Sequence, residues 1–251
     1  MKRLIVNADD FGRTPGVNAG TLRACLRGIV TSATVMVLEP AAEQGIREAL
    51  SRAPRLDLGL HVVLTGGGSP ASPAAEVPAL APRGRFARDA GALPARLPAD
   101  EVRREIEAQL SRFEKLAGRL PSHLDSHHHA ARHPDIEPVF AAAAGEKGLP
   151  ARASSRAARE RLRQAGLRTP DTFLDGFYAE GATTANLLAM LESLPEGSSE
   201  LMCHPGFPDE ALLAGSSYAG QRAREVEALC DPAIRALLDR LGIRLLGFSE
   251  L

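Results

Sequence analysis

Strand-like and helix-like segments alternate along this chain from its first residues to its last, and that order constrains the fold more than any other feature. Leu4-Ile5-Val6 opens a buried strand that ends at Asp9-Asp10-Phe11-Gly12, and residues 17–27 follow with a helical pattern closed by Gly28. Residues 33–38 and 58–64 are short apolar runs of strand length, with a helical stretch at 41–52 between them. Residues 100–117 carry the longest helical period, with Val102, Ile106, Leu110, Phe113 and Leu116 at three- and four-residue steps. Strands at 122–129, 151–155, 172–178, 200–204 and 243–248 alternate with helices over 136–147, up to 164, 183–194, 221–229 and 232–241. Eight strands, each but the last followed by a helix, predict a parallel sheet. In 251 residues that order fits a single α/β domain, a distorted (β/α) TIM-like barrel, better than an open doubly wound sheet.

One segment breaks the alternation. Residues 65–98 have no sustained period and hold six prolines and five glycines, so they read as an insertion: a surface loop, a lid over the site, or an arm for a homodimer. The 30 basic and 31 acidic side chains leave a net charge of -1, which argues against a general nucleic-acid binder. No apolar run is long enough for a membrane span or a signal-peptide core. Cys25, Cys203 and Cys230 are odd in number and lack a CxxC pair, so a reducing cytoplasm is the expected compartment.

In sheets of this kind, reacting groups sit at the C-terminal ends of strands. Asp9 and Asp10 fall there on the first strand, His61 on the third, Asp125, His127, His128 and His129 on another, and His204 on a late one. If residues 122–129 are extended, His123, Asp125, His127 and His129 share one face, which is costly to bury unless those groups bind something. His127 is the first choice for a metal ligand in that run and His128 the last. The simplest ligand set is one of the two N-terminal aspartates with His61 and His127, leaving positions for water and substrate. Paired carboxylates repel unless something positive lies between them, so one aspartate can bind a cation while its neighbour accepts a proton. His204, before Pro205-Gly206, is a general acid, a further ligand or a loop cap. Phe11, Phe86, Phe177, Tyr178 and Phe207 could each stack on one sugar or fill core, and the lack of tryptophan argues against a long aromatic platform.

These residues stand in recognisable blocks. Ile5–Gly12 (IVNADDFG), Gly59–Thr65 (GLHVVLT), His123–His129 (HLDSHHH) and Cys203–Phe207 (CHPGF) resemble the signature blocks of the YdjC/ChbG carbohydrate deacetylases. Residues 28–34 and the stretch from Ser217-Tyr218 to Arg222 and Glu225 fit as well. The resemblance implies a distorted (β/α) barrel, often dimeric, in which Asp10, His61 and His127 bind a divalent metal, commonly magnesium, with zinc, manganese or cobalt as alternatives. It further implies that Asp9 is the general base. His204 would then protonate the departing amine, Asp125 would orient a neighbouring histidine, and His129 would steady the site or touch substrate. The chain departs from the family's pattern at Ala130-Ala131-Arg132-His133, where a further Val-His usually follows the histidine run. The expected reaction is hydrolysis of the N-acetyl group of an N-acetylated amino sugar, a short saccharide or glycolipid head group, with release of acetate. The rivals are a metal-dependent phosphoesterase or amidohydrolase on a similar barrel, an iron oxygenase with the same ligands, and a non-catalytic sugar or metal sensor.

Overall fold

The N-terminal strand runs well past its three aliphatic residues, because its polar end is buried as deeply as its apolar start. In the computed structural model, which describes residues 1–251, β1 spans Lys2–Phe11 and is followed by α1 (Pro15–Arg27), β2 (Ser32–Val35), α2 (Ala42–Arg52) and β3 (Asp57–Val62). Then come α3 (Ala99–Ala117), β4 (Leu124–Ser126), α4 (Glu137–Glu146), α5 (Arg156–Gln164), β5 (Thr172–Leu174) and α6 (Thr184–Glu192). β6 (Gly197–Cys203), α7 (Glu210–Gly215), α8 (Gly220–Leu229), α9 (Pro232–Leu241) and β7 (Arg244–Leu245) complete the chain. The strands form one sheet in the order β4-β3-β2-β1-β6-β5, with β7 also on β1. The registered strand pairs are parallel, so the expected α/β class is found. β4 and β5 are the ends of the path, which gives a half-barrel order in place of a ring of eight.

Local chemistry explains the element boundaries. Thr14 caps α1, its hydroxyl accepting from the Val17 amide at 3.3 Å, and Pro15 sits in the first turn where no amide proton is needed. α3 stops at Gly118, which takes the left-handed conformation at φ 68. Two expected strands are shorter than their patterns. Residues 151–155 form no strand, only an isolated bridge from Ala151 to Leu124, because Ser155 is already engaged as the N-cap of α5. The histidine run leaves β4 after Ser126, since His128 and His129 both have φ 51 and start a tight turn. The shared face expected for residues 123–129 therefore ends at Ser126, and His129 does not extend it. α7 is an unexpected helix, capped by Asp209 through the Leu212 amide at 2.9 Å.

The chain divides into two compact units, residues 1–35, 39–58 and 170–251 in the first, and residues 36–38 and 59–169 in the second. The first has its core along β1, where Leu4, Ile5, Val6 and Ala8 are fully buried. In the second, Val102, Ile106, Leu110 and Phe113 of α3 form the expected buried stripe. The same helix also buries Glu101, Glu105 and Gln109, one every four residues. Glu105 accepts from the amides of Ala71 and Ser72, each at 2.9 Å, and Glu101 from those of Ala79 and Leu80 at 2.8 and 2.9 Å. Gln109 clamps both backbone groups of Val63 and donates to Glu105 at 2.7 Å. The Pro/Gly-rich insertion is thus pinned by its backbone to one helix, and its secondary structure is three short 3-10 turns.

Candidate functional site

In the first unit, pairing of β1 with β6 sets Ala8 beside Cys203, so Asp9, still within β1, and His204, just past the end of β6, are the next residues in that register. The pairing of β1 with β2 is irregular between Ala8 and Phe11, and Asp10 has φ 65. That left-handed step breaks the alternation that would send two successive carboxylates to opposite faces, and both aspartates are buried. Asn7 Nδ2 donates to Asp9 Oδ1 at 2.9 Å, and His204 Nε2 lies 4.0 Å from Asp9 Oδ2. Asp10 Oδ2 receives the Nη2 group of Arg222, with Arg13 at 3.5 Å.

Below His204 lies a buried polar cluster. The His204 amide donates to Glu225 Oε2, and the Tyr218 hydroxyl donates to Glu225 Oε1. Burial pushes the Glu225 carboxyl up to about 7, against the opposing pull of those two hydrogen bonds and of the Arg222 charge. Burial, with the Glu225 charge beside it, also raises the Tyr218 phenol far above its usual range. Arg222 is itself buried, and its Nε donates to the Tyr218 carbonyl at 2.8 Å. Gly206, just past His204, meets α1 so closely that a Cβ at Gly20 would overlap its backbone. Phe207 is half exposed, whereas Phe11 is wholly buried and offers no face on which a sugar could stack.

In the second unit, β3 and β4 pair with His61 opposite Asp125. Their side chains meet: His61 Nδ1 is 2.6 Å from Asp125 Oδ1, and Arg152 Nη1 is 3.0 Å from the other carboxylate oxygen. A histidine held at Nδ1 by a carboxylate carries its proton there and keeps its Nε2 lone pair for a ligand, an arrangement typical of metal-binding imidazoles. His127 is buried, with its ring 5.4 Å from that of His61 and edge-on to it. His128 is exposed, stacks on His127 at 3.8 Å, and is held by Thr65 Oγ1 at 3.1 Å. His129 is partly exposed in the turn beyond.

Two groups of buried side chains could hold a metal ion: Asp10 with His61 and His127, and Asp9 with His61 and Asp125. Both groups include a carboxylate with other partners: Asp125 is engaged by His61 and Arg152, and Asp10 by Arg222 and Arg13. No sequence pattern pointed to Arg152, and Tyr218, Arg222 and Glu225 stood in the sequence without a role. A basic or acidic residue in a loop or helix carries no local sign of a distant buried partner. The one available signal was the Ser217–Glu225 stretch as part of the family resemblance.

Fold and site together define an α/β protein with a buried carboxylate–imidazole centre at the ends of parallel strands. The family model described as YdjC-like protein matches residues 3–240. A carbohydrate deacetylase of Geobacillus stearothermophilus is 41% identical over 248 residues, covering 98% of this chain and 96% of that protein. A chitooligosaccharide deacetylase of Klebsiella pneumoniae (strain 342) is 39% identical over 249 residues, covering 96% of each. A crystal structure from Enterococcus faecalis V583, provisionally labelled a cellobiose-phosphate cleavage protein, superposes with a TM-score of 0.93 at 34% identity, covering 99% of this chain and 98% of that one. The chain belongs to the YdjC-like family.

Proposed function

We propose that this protein is a metal-dependent N-deacetylase acting on short N-acetylated amino sugars or glycolipid head groups, and that Asp10, His61 and His127 hold its cation. The observation that carries the reading is that these three ligand-type side chains form one group suited to a metal although every member is buried. Two imidazoles and a carboxylate fit a divalent ion. The family resemblance implies magnesium, whereas imidazole donors suit zinc better. When bound, the cation supplies Lewis acidity toward the amide carbonyl and makes water easier to deprotonate.

The chain's own residues complete the reaction. Asn7 holds Asp9 at Oδ1, and Asp9 takes a proton from the attacking water. As the water oxygen bonds to the acetyl carbon and the C–N bond breaks, His204 Nε2 gives its proton to the departing amine. The products are acetate and a free amino sugar. At 4.0 Å, Asp9 Oδ2 offers an imidazolium at His204 a counter-charge and keeps donor and acceptor at one reacting centre. Asp125 holds His61 in register, and His128 braces His127 by stacking. No helix is long and apolar enough to cross a membrane, and the three cysteines are odd in number with no CxxC pair, which suits the cytoplasm we propose as its compartment.

The test measures acetate and inorganic phosphate release from N-acetylated mono- and disaccharides and from sugar phosphates, with chelator and with each divalent metal restored. Acetate released only with metal is the expected result. Phosphate release instead would favour the phosphoesterase reading, and saccharide binding without either product would favour a sensor. Asp9→Asn should keep metal and lose turnover by at least about a hundredfold, whereas His127→Ala should lose the metal.

A further inference from the structure

We infer that Tyr178 is a specificity-determining residue, a fixed aromatic platform on which the pyranose ring bearing the acetamide stacks beside His204. The inference rests on the deacetylase reading and adds to it how the sugar is recognised. Tyr178 is 43% exposed, and among the other phenylalanines and tyrosines only Phe207, at 42%, is exposed to this degree. One face of its ring lies on Tyr218, with centroids 4.2 Å apart and planes 16° from parallel. Its edge meets the His204 ring at 5.4 Å.

The platform is built to stay in place. Tyr218 beneath it is held at its hydroxyl by Glu225 and by the Ala179 amide, the latter at 3.1 Å. Ala179 adopts φ 53, a left-handed conformation unusual for alanine. The Asn186 side chain ties the loop shut, donating to the carbonyls of Gly176 at 3.0 Å and Gly181 at 2.8 Å. A rigid aromatic face left open to water suits the apolar C–H face of a sugar, since covering it removes apolar area without ordering a loop. His204 lies about one ring width away, so a pyranose on Tyr178 brings its own amine to the imidazole, where an adjoining sugar would not. Burial also raises the Tyr178 phenol, which keeps its hydroxyl protonated as a donor to the sugar.

The chain has no tryptophan and two tyrosines, both in this stack, so tyrosine emission reports on it directly. Full-length protein is titrated with N-acetylated mono- and disaccharides, following emission, calorimetric affinity and acetate release. Wild type should show a saturable change in emission. Tyr178→Ala should weaken affinity and raise KM roughly tenfold, about 1.4 kcal/mol, with kcat little changed. Tyr178→Phe should stay within about twofold, because stacking and not the hydroxyl carries most of the affinity. If Tyr178→Ala melts early, Tyr178→Leu keeps the apolar cover over Tyr218 and carries the same expectation. Wild-type affinity in the alanine or leucine variant overturns the inference, as does a phenylalanine variant as weak as alanine. A wild-type protein whose emission ignores every saccharide overturns it too. The deacetylase reading fails on a separate result, the absence of acetate from wild type, whatever the emission does.

Discussion

Replacing Glu225 by glutamine should make the protein's stability less sensitive to pH, by an amount that follows from the structure. Glu225 is buried, and its carboxyl is raised from an ordinary 4.5 to about 7. Between those values the folded protein holds a proton that the unfolded chain has released. Stability is therefore fully present below about pH 4.5, falls as pH rises, and levels off above about pH 7. A tenfold change in proton affinity between the folded and unfolded chain is worth about 1.4 kcal/mol, so the loss between about pH 5 and about pH 8 is roughly 2.5 kcal/mol. Glutamine has nearly the same shape and no such proton. Its carbonyl can still accept from the His204 amide, and its amino group can donate to the Tyr218 oxygen in place of accepting from it, so the cluster keeps a hydrogen bond to each partner. Urea unfolding of wild type and Glu225→Gln across this range isolates the effect, because all other titrating groups cancel in the difference. The variant should gain roughly 2.5 kcal/mol on wild type as pH rises. Stabilities that run parallel, to within about 0.5 kcal/mol, would refute the argument that burial outweighs the hydrogen bonds at this carboxyl.

Two further substitutions test the scaffold around the site. Asp125→Asn leaves Arg152 buried without its counter-charge and loosens the hold on His61, so stability should fall by about 3–5 kcal/mol and metal affinity by about 10–100-fold, read by denaturation and metal titration. Adding Arg152→Gln should restore part of the stability and none of the metal affinity. Gly20→Ala sets a methyl group against the Gly206 backbone, which has no flexible side chain to yield, so a loss of about 1–3 kcal/mol is expected. Acetate release should fall with it, because Gly206 follows His204 by two residues; an unchanged melting temperature would show that α1 does not set that loop.

The parts of the fold that were legible in the sequence are those governed by local period. α3 was expected over 100–117 and spans Ala99–Ala117, because its apolar stripe and Gly118 both advertise themselves. α1 begins two residues earlier than its apolar period suggested, at Pro15 after the Thr14 cap. The candidate residues were picked by their place at strand ends, and Asp125, expected to lie beside a histidine, is 2.6 Å from His61 Nδ1. The period failed where one residue's backbone departs from it. Asp10 in the left-handed region breaks the strand rule, and His128 and His129 turn a supposed eight-residue strand into three residues. Glu101 and Glu105 illustrate a different limit. On a helical wheel they look like solvated acids, and only the amides of a segment more than twenty residues away explain their burial.

That last arrangement has an evolutionary consequence. Backbone amides are the same whatever side chains they carry, so the grip of α3 on residues 71–72 and 79–80 places little demand on residue identity in the gripped segment, proline aside. Mutation can rewrite much of what the segment displays while Glu101 and Glu105 keep its path. The segment is a ready substrate for drift and for loop grafting, its path held by two glutamates on the neighbouring helix.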